Sequence, residues 1–107
     1  MTKTYRQGDV LLVAVAAIPD EAKDRVPRVS NRIVLAEGEA TGHAHAVKSR
    51  EAVLFRDPEL NRVFLQVTGQ GVALEHDEHS PVALAPGAYE VVRQVEYSPE
   101  EIRRVAD

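Results

Sequence analysis

The chain has 107 residues, 44% hydrophobic and 28% charged, which fits a single soluble domain spanning residues 1–107. It carries no cysteine, so disulfides, thiolate metal sites and cysteine nucleophiles are excluded. A net charge of −4 and the lack of tryptophan provide neither a counterion-releasing surface nor a base-stacking platform, so no nucleic-acid partner is expected.

Turn residues recur every eight to twelve positions, the rhythm of an all-β domain. Gly8-Asp9 precedes an apolar run over residues 10–18, which Pro19-Asp20 ends. That run is about half of the ~20 residues a membrane helix needs. Asp9 abuts it, and its alanines lie inside it, so it reads as a buried strand rather than a signal peptide. No membrane association is expected, and the expected location is the cytoplasm.

Residues 20–31 are polar and broken by Pro27, which predicts a loop. Strands are expected over 32–36, 43–49, 52–56, 62–68, 72–75, 82–84 and 89–97. Turns fall at 37–42, 57–61, 69–71 and 85–87. Tyr5-Arg6-Gln7 and the stretch from Arg93 suggest two edge strands that meet. A helix is signalled at about 99–106: Ser98 can cap it, Pro99 suits its first position, and Glu100 and Glu101 suit the positive end of its dipole. The expected fold is a small antiparallel β-barrel or two-sheet sandwich with a short C-terminal helix.

All four histidines fall in two clusters, Gly42-His43-Ala44-His45 and Glu75-His76-Asp77-Glu78-His79. On a strand His43 and His45 share a face, about 6.6 Å apart along the chain, close enough for both imidazoles to reach one ion. His76 and His79 would face opposite ways on a straight strand. They converge if residues 77–78 form a turn or bulge. The expected ligands are therefore His43, His45 and His76, with His79 completing the set or acting as an acid/base beside it. Glu75, Asp77 and Glu78 supply carboxylates that can fix imidazole tautomers. With nitrogen and oxygen donors and no sulfur, zinc, nickel or iron is the expected ion.

Gly38, His43, His45 and Glu51, in an all-β chain, resemble the first motif of the cupins: a glycine, a spacer, His-x-His and then a glutamate. Pro86-Gly87 resembles the proline-rich turns of that family. The spacers differ by a residue or two, and the second cupin motif is not matched. The resemblance implies a β-barrel that binds a metal for dioxygenase, isomerase or decarboxylase chemistry, or that binds a small ligand. It adds Glu51 to the ligand set.

Three functions follow as expectations. The first is a metal-dependent enzyme (oxygenase, isomerase or hydrolase) acting on a small polar substrate, with Glu39 or Glu78 moving the proton. The second is a non-catalytic module with a structural metal or a sensed ligand. The third is a metal-free catalyst using paired histidines as acid and base. A homodimer is compatible with each.

Overall fold

A computed structural model describes residues 4–37, 44–77 and 79–93. Its strands are β1 (Thr4–Gln7), β2 (Val10–Val15), β3 (Asp24–Arg25), β4 (Ile33–Glu37) and β5 (Ala44–Val47), then β6 (Ala52–Asp57), β7 (Arg62–Val67), β8 (Val72–His76), β9 (His79–Leu84) and β10 (Gly87–Arg93). One sheet has six strands in the order β1-β2-β10-β7-β6-β3, the other four in the order β4-β5-β8-β9. Every pairing is antiparallel. Each sheet has two free ends among the described residues, so the sandwich alternative holds and the barrel does not close. The helix expected at about 99–106 lies outside the described residues.

The inward faces follow from period-two alternation. In the large sheet they carry Val10 and Leu12 of β2, Ala52 and Leu54 of β6, Leu65 and Val67 of β7, and Tyr89 of β10. In the small sheet they carry Ile33, Val47, Val72, Leu74 and Leu84. Burying a side chain such as Leu65 or Leu74 stabilises the fold by roughly 1.5–3 kcal/mol. Phe64 is also buried but projects from the opposite face to Leu65, with the Arg62 guanidinium 5.1 Å from its ring centre.

Several elements depart from expectation. β2 stops at Val15, and the polar loop contains β3, a two-residue strand on the edge of β6. β9 begins at His79 and runs through Pro81. Proline is tolerated there because β9 is an edge strand, where one row of N–H groups has no partner strand to serve. The two segments near the ends do not pair with each other. β2 lies between β1 and β10, although Tyr5 and Tyr89 meet edge-to-face at 5.7 Å.

β1 and β2 are joined through Gly8-Asp9, with Gln7 opposite Val10. Gly8 has φ +59, the left-handed conformation that such a tight hairpin requires and that glycine adopts without steric cost. Gln7 is 3% exposed, and its amide crosses from the large sheet to the small one. Its Nε2 donates to Leu74 O at 2.9 Å and to Ser80 O at 3.0 Å. This side chain ties the two sheets together at one corner of the sandwich, and the histidines gather at that corner.

Candidate metal centre

His45 lies two residues before Val47 on β5 and so faces the same way, into the sandwich. It is 2% exposed. On β8, Val72 and Leu74 point into the core, and a bulge follows Leu74. The bulge puts His76 opposite His79 across the β8–β9 pair. This register shift lies between Leu74 and His76, ahead of residues 77–78, where the sequence places the turn or bulge needed for the second pair to converge. Where these strands would otherwise extend the aliphatic core, they carry imidazoles instead.

The three rings form a triangle. Centroids are 4.4 Å apart for His45–His76, 4.7 Å for His76–His79 and 5.8 Å for His45–His79. Two segments about thirty residues apart in the chain thus bring three imidazole rings side by side. His45 is the buried member, and His79 is the exposed one.

The tautomer of His45 follows from its neighbours. Both donor directions of the Gln7 amide are used on carbonyls, so its Oε1 is the atom that faces His45 Nδ1 at 2.9 Å. An oxygen acceptor there requires Nδ1 to carry the proton and to donate it. The lone pair then sits on Nε2. That nitrogen lies 3.3 Å from Asp9 Oδ1.

Burial holds His45 below the ordinary imidazole pKa, and the neighbouring His76 pushes the same way, while Asp9 opposes them. Asp9 is held below the usual carboxylate range, chiefly because Arg93 Nε donates to its Oδ2 at 2.8 Å. With the proton on Nδ1, the Nε2 lone pair of His45 faces the Asp9 carboxylate oxygen.

Gly8 closes the site from the hairpin side. A Cβ at this position would lie 2.7 Å from His79 Nε2 and 3.2 Å from His45 Cε1. Backbone can approach the imidazoles this closely only without a side chain.

The other expected site residues fall elsewhere. Glu51 sits ahead of β6, its carbonyl accepting from Thr68 N at 2.8 Å and its carboxylate pressed on Gly69. Through Ala52–Val67 and Val67–Gly87 this is the Gly87 end of β10. Asp9 and Arg93 mark the other end. β10 is seven residues long, so its ends are about 20 Å apart at about 3.3 Å per residue. The fold therefore does not bring Glu51 to the imidazoles. Glu75 lies 4.0 Å from Lys48 Nζ. His43, Glu39, Glu78 and the cupin-like Gly38 lie outside the described residues.

The family model of DUF8820, a domain of unknown function, matches residues 6–94. The chain belongs to the DUF8820 family. The matched span of this DUF8820 chain contains Gln7, Gly8, Asp9, His45, His76, His79 and Arg93, so the whole corner lies within the family domain. No curated protein and no solved structure matches the chain. Among the described residues no group of three or more His, Cys, Asp or Glu side chains is arranged to hold a metal ion, and no helix is long and apolar enough to cross a membrane.

Sequence reasoning did not place Gln7, Asp9 or Arg93 beside the histidines of this DUF8820 chain. The available signal was the triplet Gln7-Gly8-Asp9, a polar hairpin turn with a glutamine immediately before an apolar strand. Nothing local says that such a glutamine is buried, or that it faces His45.

Proposed function

We propose that this domain binds a divalent transition metal through His45, His76, His79 and Asp9, and that it acts on a small polar molecule at that ion. The observation that carries this reading is the His45–Asp9 approach. A tetrahedral zinc with nitrogen and oxygen donors at about 2.0–2.1 Å holds those donors about 3.4 Å apart. His45 Nε2 and Asp9 Oδ1 are 3.3 Å apart, with Gln7 and Arg93 holding the far side of each group. Partners of this kind behind the ligands are what metal sites use to fix tautomer and orientation.

The ring triangle agrees. Three imidazoles on one tetrahedral ion have centroids about 5.2 Å apart, against 4.4, 4.7 and 5.8 Å here. Ring separation is set by the backbone and by χ1. The direction of the nitrogens is set by χ2, a broad torsion that a bound ion can turn. The donor set contains no sulfur, which suits zinc, nickel or iron.

Exposure supports a working ion rather than a structural one. His79 is exposed and the Asp9 side chain 39% exposed, so one side of the cluster faces solvent, whereas structural sites are closed by protein. The corner also has its own cross-tie in Gln7, independent of any ion. An ion bound here would polarise a substrate oxygen or lower the pKa of a bound water. Around it, His45 is fixed by Gln7, Asp9 by Arg93, and Gly8 leaves room for the rings. Glu39 and Glu78 are the proposed proton carriers on sequence grounds alone. Of the residues behind the cupin resemblance, the reading uses His45 and leaves out Glu51.

The test is elemental analysis of tag-free protein. Wild type is expected to carry or take up about one metal ion per chain, His45→Ala to lose it, and Glu51→Ala to keep it. Wild type that takes up no zinc, nickel or iron overturns the proposal.

A further inference from the structure

A concavity of about 340 Å³ lies beside β3 and the segment leading into β6. Its wall includes Ala52, at the Val67–Gly87 end of the large sheet, and Ile33, which pairs with Val47 two residues along β5 from His45. Three arginines line it, Arg25, Arg28 and Arg50, together with Asn31 over an apolar floor that includes Ile33 and Leu54. In a chain of net charge −4, such a local excess of positive charge is unexpected.

Among the described residues none of the three arginines is in an ion pair. Among the described residues the carboxylates in salt bridges are those of Asp9, Glu75 and Glu90, whose partners are His45, Arg93, Lys48 and Arg62. Arg28 is held in place by the backbone. Its Nη2 donates to Lys48 O at 2.8 Å, Ser49 O at 3.1 Å and Asn31 O at 3.2 Å. Its Nε is buried and has no hydrogen-bond partner. A buried, unsatisfied donor on a cation is costly. The plane of this guanidinium is thus fixed before any ligand arrives, with a donor still to satisfy. Arg25 is braced by the Phe55 ring, 5.9 Å from its guanidinium carbon.

We propose that this cleft binds a small organic oxyanion, its phosphate or carboxylate head held by Arg25, Arg28 and Arg50 and its apolar body resting on Ile33 and Leu54. Guanidinium forks match the paired oxygens of both head groups. The volume suits a compact ligand, at the small end of the range for such sites. The cleft is independent of the metal proposal.

The test is an amide NMR titration of the full chain with phenyl phosphate, benzoate and inorganic phosphate. Saturable shifts are expected for residues 25–33 and 50–54, with a dissociation constant on the order of 1 mM or tighter for the preferred organic anion. Tighter binding of phenyl phosphate assigns a phosphate head, and tighter binding of benzoate a carboxylate. Weaker binding of inorganic phosphate supports the role of the apolar floor.

The double variant Arg25→Gln/Arg50→Gln alters two exposed side chains, so it should fold and bind at least tenfold more weakly. His45→Ala should bind as wild type does, so loss of the metal reading leaves this one standing. No saturable shift with any of the three anions, shifts centred on the histidine corner, or undiminished binding by the double variant overturns the proposal.

Discussion

His45 Nε2 lies 3.3 Å from Asp9 Oδ1, and Gln7, only two residues before Asp9, holds the other nitrogen of the same ring. One hairpin turn therefore addresses both sides of a single buried imidazole. The amide fixes the proton on Nδ1, and the carboxylate faces the free lone pair.

Gln7→Leu keeps the volume and removes the amide. Leu74 O, Ser80 O and His45 Nδ1 each lose a partner at a buried corner. Chemical denaturation should show a loss of about 1–3 kcal/mol. Metal affinity, measured by competition with a chelator, should fall roughly 10–100-fold because His45 is no longer oriented.

Gly8→Ala meets two obstacles at once. An L-residue in the left-handed region costs about 1–2 kcal/mol, and the added Cβ runs into the His79 and His45 rings. The variant should be destabilised by at least that amount. Its His45 and His79 ring resonances should move, whereas a substitution at Gly69, in a turn remote from the cluster, should leave them in place.

Metal removal should leave the fold intact. The Gln7 cross-tie and the apolar core do not depend on an ion. Treatment with a chelator should therefore preserve the far-ultraviolet circular dichroism spectrum. It should lower the melting temperature only by the amount that ligand linkage predicts from the measured affinity. Unfolding on metal removal would instead mark a structural ion.

Alkaline pH should weaken the fold through Tyr89. Burial is the chief reason its hydroxyl pKa is raised to about 12, with Tyr5 adding to the effect. Its proton is also committed to the Ala85 carbonyl oxygen at 2.5 Å. The unfolded chain releases this proton near pH 10 and the folded chain near 12. The stabilisation is therefore complete below about pH 10 and lost as pH rises toward 12. Denaturation curves should show this decline in wild type. Tyr89→Phe should lack that share of the slope, while losing about 1 kcal/mol at neutral pH with its hydrogen bond.

Strands that carry an alternating apolar face were legible from sequence. β7 is one: Val63, Leu65 and Val67 point inward, as the alternation requires. β3 was not legible, because Asp24 and Arg25 are both exposed and leave no hydrophobic period to read. β9 was cut short at Ser80-Pro81 because its edge position, which makes proline harmless, is a property of the sheet and not of the segment. Three of the four histidines fall in the described structure and stand together, and the spacing of the two clusters pointed there. Asp9, Gln7 and Arg93 were hidden because their roles come from contacts across 36 to 84 positions of chain. Glu51 entered through family likeness, and the strand register sends it to the other end of the sandwich.

The central claim is that His45 offers Nε2 to an ion while Gln7 keeps the proton on Nδ1. Nitrogen-15 NMR of the imidazoles during a zinc titration reads this directly. The expected result is an Nε2 resonance of His45 that moves to a metal-bound position at one equivalent, with Nδ1 remaining protonated throughout. An Nε2 of His45 that carries a proton and does not respond to zinc would contradict the account.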